Sequence, residues 1–376
     1  MNENEMIARG PSVGADGGRP LKSNVDHSLA YKCISDKEKK ELKERIREGL
    51  SERYLKTFSV NDLYDREFDL QLPIVEGLLY PGIYMLGGAS KLGKSFLALQ
   101  IAYHVSTGRE LWGHRTNQSG VLYLALEDSQ RRLQRRLSTM FGTEGTDDLR
   151  FATASRKIGG GLELQLQHHL ECWPDTRLII IDVLQKIRKS DGDGYSYAND
   201  YETIGALKQL TDTRDVCLII VHHTRKQDAD DIFDTISGTT GLMGCADGAM
   251  VLHKENRTSL KAALDITGRD QPDQTLHLIR DPVHLTWQFE SAETEPWEQR
   301  REPFLDSIEA VLANGIDRWE GRASDLAALL EEEIQPNQLI RRLNVGKEKL
   351  AELYGIEYTC KRSGNGCNVR LVRMRR

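Results

Sequence analysis

Gly88-Ala89-Ser90-Lys91-Leu92-Gly93-Lys94-Ser95 fits the pattern GxxxxGK[ST], a loop type that binds nucleotide phosphates. Glycines let the backbone curl until several N–H groups converge on one anion. The helix that follows adds the positive end of its dipole. Lys94 is placed to reach the β- and γ-phosphates of ATP, and the Ser95 hydroxyl to ligate Mg2+. Phe96, directly after the motif, is counted with the nucleotide-binding set.

Four further positions extend this chemistry. Asp182 closes the apolar run Leu178-Ile179-Ile180-Ile181, and an acid ending a neighbouring strand can hold the metal through water. Glu127 closes the strand Val121–Leu126, where a carboxylate can polarise the attacking water. The bland alternative is that Glu127 and Asp128 only cap the next helix, a role expected of Asp128. His223, in His222-His223-Thr224 after the strand Cys217–Val221, can touch the γ-phosphate and move the loop behind it. Zinc is the rival reading, but two adjacent histidines lack a nearby third ligand. Arg269, in Ile266-Thr267-Gly268-Arg269-Asp270, is the candidate to reach a neighbouring subunit's γ-phosphate, with Arg257 as its competitor and a plain surface arginine as the alternative. The cluster Arg131, Arg132, Arg135, Arg136 reads as a solvated or subunit-contact face.

The elements that must position these residues are legible in the hydrophobic pattern. Apolar strands at PGIYMLGG, GVLYLAL, DLRFATA, TRLIIID and DVCLIIVHH alternate with amphipathic helices. Continuous apolar runs of this kind belong to a parallel sheet buried on both faces. The fold expected is α/β, a RecA-like P-loop ATPase core over 61–292, with GAMVLHKE, SLKAALDIT and QTLHLIR as later, antiparallel strands. Residues 1–34 read as a disordered tail and 35–60 as a linker helix capped near Ser35. Residues 300–376 read as a small winged-helix-like domain. It has helices at 302–314, 322–333 and 337–353 and a hairpin turning near Ser363–Gly366.

The net charge of −6 conceals an asymmetry: residues 336–376 hold ten Lys or Arg against three acids, while the rest is strongly acidic. A basic tail on an acidic body suggests nucleic acid as a partner, or simply a solvated terminus. The loops 186–199 and 224–244 could grip a nucleic-acid backbone, but their many aspartates weigh against it. No run of about 18 apolar residues occurs, so no membrane span is expected. No secretory leader is visible either, and six scattered cysteines suit a reducing cytoplasm.

The succession GGASKLGKS, VLYLALED, LIIIDVLQKI, LIIVHHTRK and ISGTTGLMGCADGAMVL resembles the RecA-type ATPases. Within them it is most similar to the RepA-like hexameric replicative helicases of plasmids, phages and other mobile elements. That resemblance covers roughly residues 60–290 and implies ATP and Mg2+ as ligands. It implies Lys94 and Ser95 in the P-loop, Glu127 as catalytic glutamate, Asp182 as Walker B aspartate, His223 as fourth-motif histidine and Arg269 as trans-acting arginine. It further implies a homo-oligomer, usually a hexamer, with single-stranded DNA in its channel. The winged-helix-like addition raises duplex DNA as a second partner, through residues 302–376. A DNA helicase or its loader is the function expected. An ATP-switched DNA-binding regulator or a recombination ATPase is the alternative, and a small-molecule kinase is disfavoured by Glu127, since a kinase needs no water-activating acid.

Overall fold

The computed structural model describes residues 40, 57–188, 197–224, 231–236, 240–256, 258–269, 271–294, 301–313, 316–330, 333–363 and 366–374. The expected tail, nearly all of the linker helix, Arg257 and the hairpin tip at 364–365 therefore lie outside the described residues. So do 189–196, 225–230 and 237–239 within the two polar loops.

The chain divides into two compact units, Met1–Tyr64 and Asp65–Arg376. In the first, helix α1 (Val60–Tyr64) opens with a reciprocal cap: Asp62 N–H donates to Ser59 Oγ (3.1 Å) and Ser59 N–H to Asp62 Oδ2 (2.8 Å).

The second unit is built on a nine-stranded sheet in the order β3-β2-β4-β5-β1-β6-β7-β8-β9. Its strands are β1 (Gly82–Gly87), β2 (Gly120–Ala125), β3 (Leu149–Ala152), β4 (Thr176–Asp182), β5 (Cys217–Val221), β6 (Gly248–His253), β7 (Lys261–Gly268), β8 (Gln271–Arg280) and β9 (Trp287–Thr294). The first six in that order run parallel, and β7 to β9 are antiparallel. The sheet is mostly parallel and flanked by helices, the α/β arrangement expected from the sequence. Strand β6 corrects one expectation. It pairs in parallel with β1 and antiparallel with β7, so it ends the parallel set rather than opening the antiparallel one. Strand β9 was not foreseen, because only its first residue is buried.

Helix α2 (Lys94–Thr107) follows the P-loop and is closed by Gly108 in the left-handed region, φ 67°. Helix α3 (Gln130–Phe141) follows β2. Helices α4 (Leu162–Cys172), α5 (Leu184–Ile187), α6 (Tyr197–Arg214) and α7 (Thr240–Cys245) complete the domain. Two apolar clusters lie on opposite faces of the sheet. Leu97, Leu99 and Ile101 of α2 pack on one, and Leu162, Leu166 and Leu207 of α4 and α6 on the other. Alternate side chains of β4 serve the two faces, Leu178 and Ile180 against Ile179 and Ile181, which is why the strand reads as an unbroken apolar run.

Residues from Phe304 to Leu371 enclose a third apolar cluster. Its elements are α8 (Pro303–Val311), β10 (Arg318–Arg322), α9 (Ala323–Leu329), α10 (Pro336–Val345), α11 (Lys347–Tyr354), β11 (Ile356–Ser363) and β12 (Gly366–Arg373). The three strands form a small antiparallel sheet, β10-β12-β11. The helix expected over 337–353 is two helices, broken at Gly346. A Cβ there would meet the Arg342 carbonyl at 3.1 Å and Leu305 at 3.2 Å, so glycine lets α8 pack against the break.

Candidate functional site

The parallel strands deliver their C-terminal ends to one edge of the sheet, and the sequence-predicted residues arrive there on three neighbouring strands. Strand β1 runs into the P-loop, β4 ends on Asp182, and β5 leads to His223. Gly88 has φ 149° and Gly93 φ 113°, both in the region that favours glycine, and Lys91 takes a positive φ of 66°. A Cβ on Gly88 would stand 2.6 Å from the Leu252 carbonyl of β6, so no larger residue fits that curl.

Lys94 is buried, and among the described residues its hydrogen-bond partners are neutral. Its Nζ donates to the carbonyls of Gly88 (2.6 Å) and Ala89 (3.0 Å) and lies 3.2 Å from His223 Nδ1. Burial lowers the Lys94 pKa to about 8, against the opposing pull of the Asp182 and Glu127 charges. His223 is also lowered, first by burial and then by the Lys94 charge, so its ring is neutral near pH 7 and Nδ1 can accept from the ammonium. Ser90 Oγ approaches the same nitrogen at 3.4 Å.

Asp182 is buried and accepts from Tyr123 Oη at 2.9 Å and from Ser95. Burial raises its pKa, and these two hydrogen bonds oppose the rise by favouring the carboxylate. Ser95 hydroxyl beside Asp182 carboxylate is an all-oxygen donor pair, the chemistry a Mg2+ ion takes. The curled loop, the buried cation and this pair fit a Mg2+–nucleotide.

Glu127 lies exposed just beyond β2, and its charge is felt by Lys94, Asp182 and His223 alike. Asp128 does not cap. Ser129 caps α3, its Oγ accepting from Arg132 N at 3.3 Å, while Asp128 binds the Arg132 guanidinium at 3.0 Å and also that of Arg136. Half of the arginine cluster thus fixes the turn after Glu127, and Arg136 further stacks over Phe96, 5.1 Å from the ring centroid. Phe96 is packed against the helix-side core rather than presented freely beside the loop.

Arg269 sits at the other end of the sheet. Gly268 pairs with Gly248, which pairs with Tyr84 in the body of β1, far from the P-loop end of that strand. Its guanidinium donates to the Gly244 carbonyl (3.0 Å) and lies 3.6 Å from Asp247. Any action on ATP would therefore have to be on a neighbouring chain's nucleotide. Of the two loops, the chain after His223 returns to the site: Thr224 N–H donates to the Gly88 carbonyl (3.2 Å), and Ile236 packs so closely that a Cβ on Gly87 would meet it at 2.9 Å. His222 and His223 gain no third metal ligand: among the described residues no group of three His, Cys, Asp or Glu converges.

Sequence reasoning missed what lies behind the loop. Trp287 closes over Gly93: a Cβ there would stand 3.0 Å from its ring and 3.5 Å from the Arg280 guanidinium. Gln100 of α2 holds the Trp287 backbone through both amide atoms (2.7 and 2.8 Å). Arg280 stacks over Phe96 at 4.6 Å, with its pKa lowered by burial. No local sequence signal marks them: the register of the β8–β9 hairpin returns Arg280 and Trp287 to the P-loop edge as a direct pair.

A family model described as an AAA domain matches residues 51–229. No curated protein sequence matches the chain. Among solved structures, a DnaB-like replicative helicase described with its primase interactions is similar at 15% identity and a TM-score of 0.49, over 69% of this chain and 74% of that one. A KaiC-like protein from the archaeon Pyrococcus horikoshii is similar at 15% identity and a TM-score of 0.43, over 60% of this chain and 99% of that one. No described helix is long and apolar enough to cross a membrane.

Proposed function

We propose that this chain, whose core is a RecA-like P-loop ATPase, hydrolyses ATP at the P-loop and uses the cycle to act on DNA, as a helicase or helicase loader of a plasmid or other mobile element. The observation that carries the ATPase reading is Lys94: a buried cation whose hydrogen-bond partners among the described residues are neutral, beside the oxygen pair of Ser95 and Asp182. A cation so placed gains most when an anion arrives. In this reading Lys94 leaves its loop carbonyls for the β- and γ-phosphates, and Ser95 and Asp182 hold Mg2+, which supplies charge neutralisation. Glu127 orients the water and takes its proton. His223, in contact with Lys94 and Ser90, is set to register the γ-phosphate. Thr224 and Ile236 after it touch Gly88 and Gly87, so loss of phosphate has a short route to those two residues.

Arg269 completes the site of the next subunit in a ring, of which a hexamer is the form the motif order suggests. Mixing Arg269→Ala chains with unaltered ones should depress the rate of the mixture below the average of the two; a simple average removes Arg269 from the reaction. The DNA reading is supported by the motif order shared with RepA-like helicases and by the winged-helix-like unit at 303–373. The deciding measurement is ATP hydrolysis with and without single-stranded DNA. Strong stimulation is expected. A rate indifferent to single strands, with no duplex unwound, removes the motor reading. It would favour an ATP-switched DNA-binding regulator, the second reading that the winged-helix-like unit supports.

A further inference from the structure

Residues 336–376 are strongly basic, and two of their cations, Arg341 and Lys347, are already engaged by one short acidic segment. Helix α10 buries Leu339, Ile340 and Leu343, while Asn337, Gln338 and Val345 are exposed and Arg341 lies between them on the same outward stripe. Asn, Gln and Arg on one helical face are the side chains that read base edges and phosphates. Yet Arg341 is held by a carboxylate of the segment that leads into β1: Nε donates to Asp65 Oδ1 (2.7 Å) and a terminal nitrogen to Oδ2 (3.2 Å). Two parallel bonds of this kind are how arginine holds a phosphate.

The same segment engages the next cation. Lys347, at the start of α11, donates to Glu67 Oε1 (2.8 Å) and to the Phe68 carbonyl (2.7 Å). Glu67 Oε2 accepts the backbone N–H of Cys360 at 3.1 Å. That N–H lies on β11, an edge strand of the small sheet. The Lys347 side chain is only 12% exposed, so this is not a loose surface pair. Residues 65–68 thus put two carboxylates and a carbonyl on the cations that start α11 and centre α10.

We propose that Asp65–Phe68 is a detachable acidic strap occupying the duplex-DNA face of the C-terminal unit, so that DNA phosphates and the strap compete for Arg341 and Lys347. Duplex DNA is favoured over an acidic protein because the stripe around Arg341 is Asn and Gln, groups matched to base edges rather than to carboxylates. The strap is tethered to the same chain, so its local concentration keeps the intrinsic affinity of the unit hidden. The proposal concerns equilibrium binding without ATP, so it stands or falls separately from the ATPase reading.

The test is the affinity of the full chain for a labelled mixed-sequence duplex, read by fluorescence anisotropy. Asp65→Asn with Glu67→Gln should tighten binding roughly tenfold. Glu333→Gln with Glu357→Gln, the same charge change at exposed sites outside the strap, should tighten it far less. Adding Arg341→Ala and Lys347→Ala to the strap variant should abolish the gain. Equal effects from the two pairs of neutralised acids, or a gain that survives loss of both cations, overturns the proposal. If the strap variant fails to fold, the unaltered chain decides: saturating duplex should speed hydrogen exchange at the Cys360 amide. Exchange left unchanged by duplex, or sped only by polyglutamate, also overturns it, the latter in favour of an acidic protein partner.

Discussion

Two lysines mark opposite ends of the central sheet and have opposite fates. At the P-loop end, Lys94 is buried against carbonyls and a neutral histidine, and burial lowers its pKa to about 8. At the other end, burial would likewise lower Lys208, but hydrogen bonds and charges from Asp247 and Asp212 win and raise it. Lys208 Nζ lies 2.6 and 2.7 Å from the two Asp247 oxygens and 3.0 Å from Asp212. Asp247 also accepts the Ile83 N–H (2.9 Å) at the start of β1, and a Cβ on Gly82 would collide with it at 2.7 Å. Lys94 bonds the residue that follows β1, and Lys208 is linked to the start of β1 through Asp247. One is satisfied by its own fold and fastens β6 and α6 to β1. The other is left with neutral dipoles and gains most from an incoming anion.

The sharpest way to break this contrast is to delete each cation. Lys94→Ala should weaken ATP binding or turnover by roughly 10²–10³-fold with little loss of stability, since a desolvated charge disappears with it. Lys208→Ala should leave ATP affinity unchanged and cost about 2 kcal/mol of stability, because among the described residues Asp247 then keeps Arg269 and a backbone N–H. Nucleotide titration and denaturant unfolding on both variants check this. If the two variants lose ATP affinity equally, the contrast is wrong.

Next in size is Glu127→Gln, which leaves Lys94, Ser95 and Asp182 in place. ATP binding should persist while hydrolysis falls by roughly 10²-fold or more. Phosphate release measured beside nucleotide affinity separates the two. Normal hydrolysis would mean that Glu127 only shapes the turn, a turn that Asp128 with Arg132 and Arg136 already holds.

What could be read from the sequence divides along the same line. The P-loop and Asp182 were legible because each is local: glycines at fixed spacing, and an apolar run ending in an acid. The Asp247 cluster was not, because Asp247 in Cys245-Ala246-Asp247-Gly248 looks like any turn acid until β6 pairs with β1 and α6 supplies Lys208. Ser129 and Asp128 are adjacent and both accept hydrogen bonds, so only geometry shows which caps α3. Strand β10, Arg-Trp-Glu-Gly-Arg, turns only Trp319 and Gly321 half inward, and one aromatic among charged residues is too little alternation to mark a strand. Arg280 and Trp287 reach the P-loop through hairpin register, which no local pattern encodes.

A smaller effect sharpens the Lys94 side. Its pKa of about 8 belongs to the nucleotide-free protein, and bound phosphate favours the ammonium. ATP analogue affinity should be flat below that value. Above it, affinity should fall by up to about tenfold per pH unit as binding has to draw a proton onto a neutral amine. A titration from about pH 7 to about pH 10 reads this directly. Affinity level across that range would mean the lysine is not depressed and resembles Lys208 after all.

The smallest effect concerns Tyr123, whose hydroxyl helps keep Asp182 ionised in a buried site. Tyr123→Phe removes one of two hydrogen bonds to the carboxylate and leaves burial, which raises the pKa, opposed by the Ser95 hydrogen bond and the Lys94 charge. A protonated Asp182 cannot hold a cation, so ATP turnover should fail earlier on acidification. The acid limb of kcat/KM should move upward by roughly half to one pH unit, the worth of one such bond. Raising Mg2+ should move it back, because metal binding and protonation compete for the same oxygens. A limb that stays in place in the Phe variant would show that Ser95 and Lys94 suffice to hold Asp182 ionised. The burial that strips Lys94 of charged partners would then govern the site without help from the strand beside it.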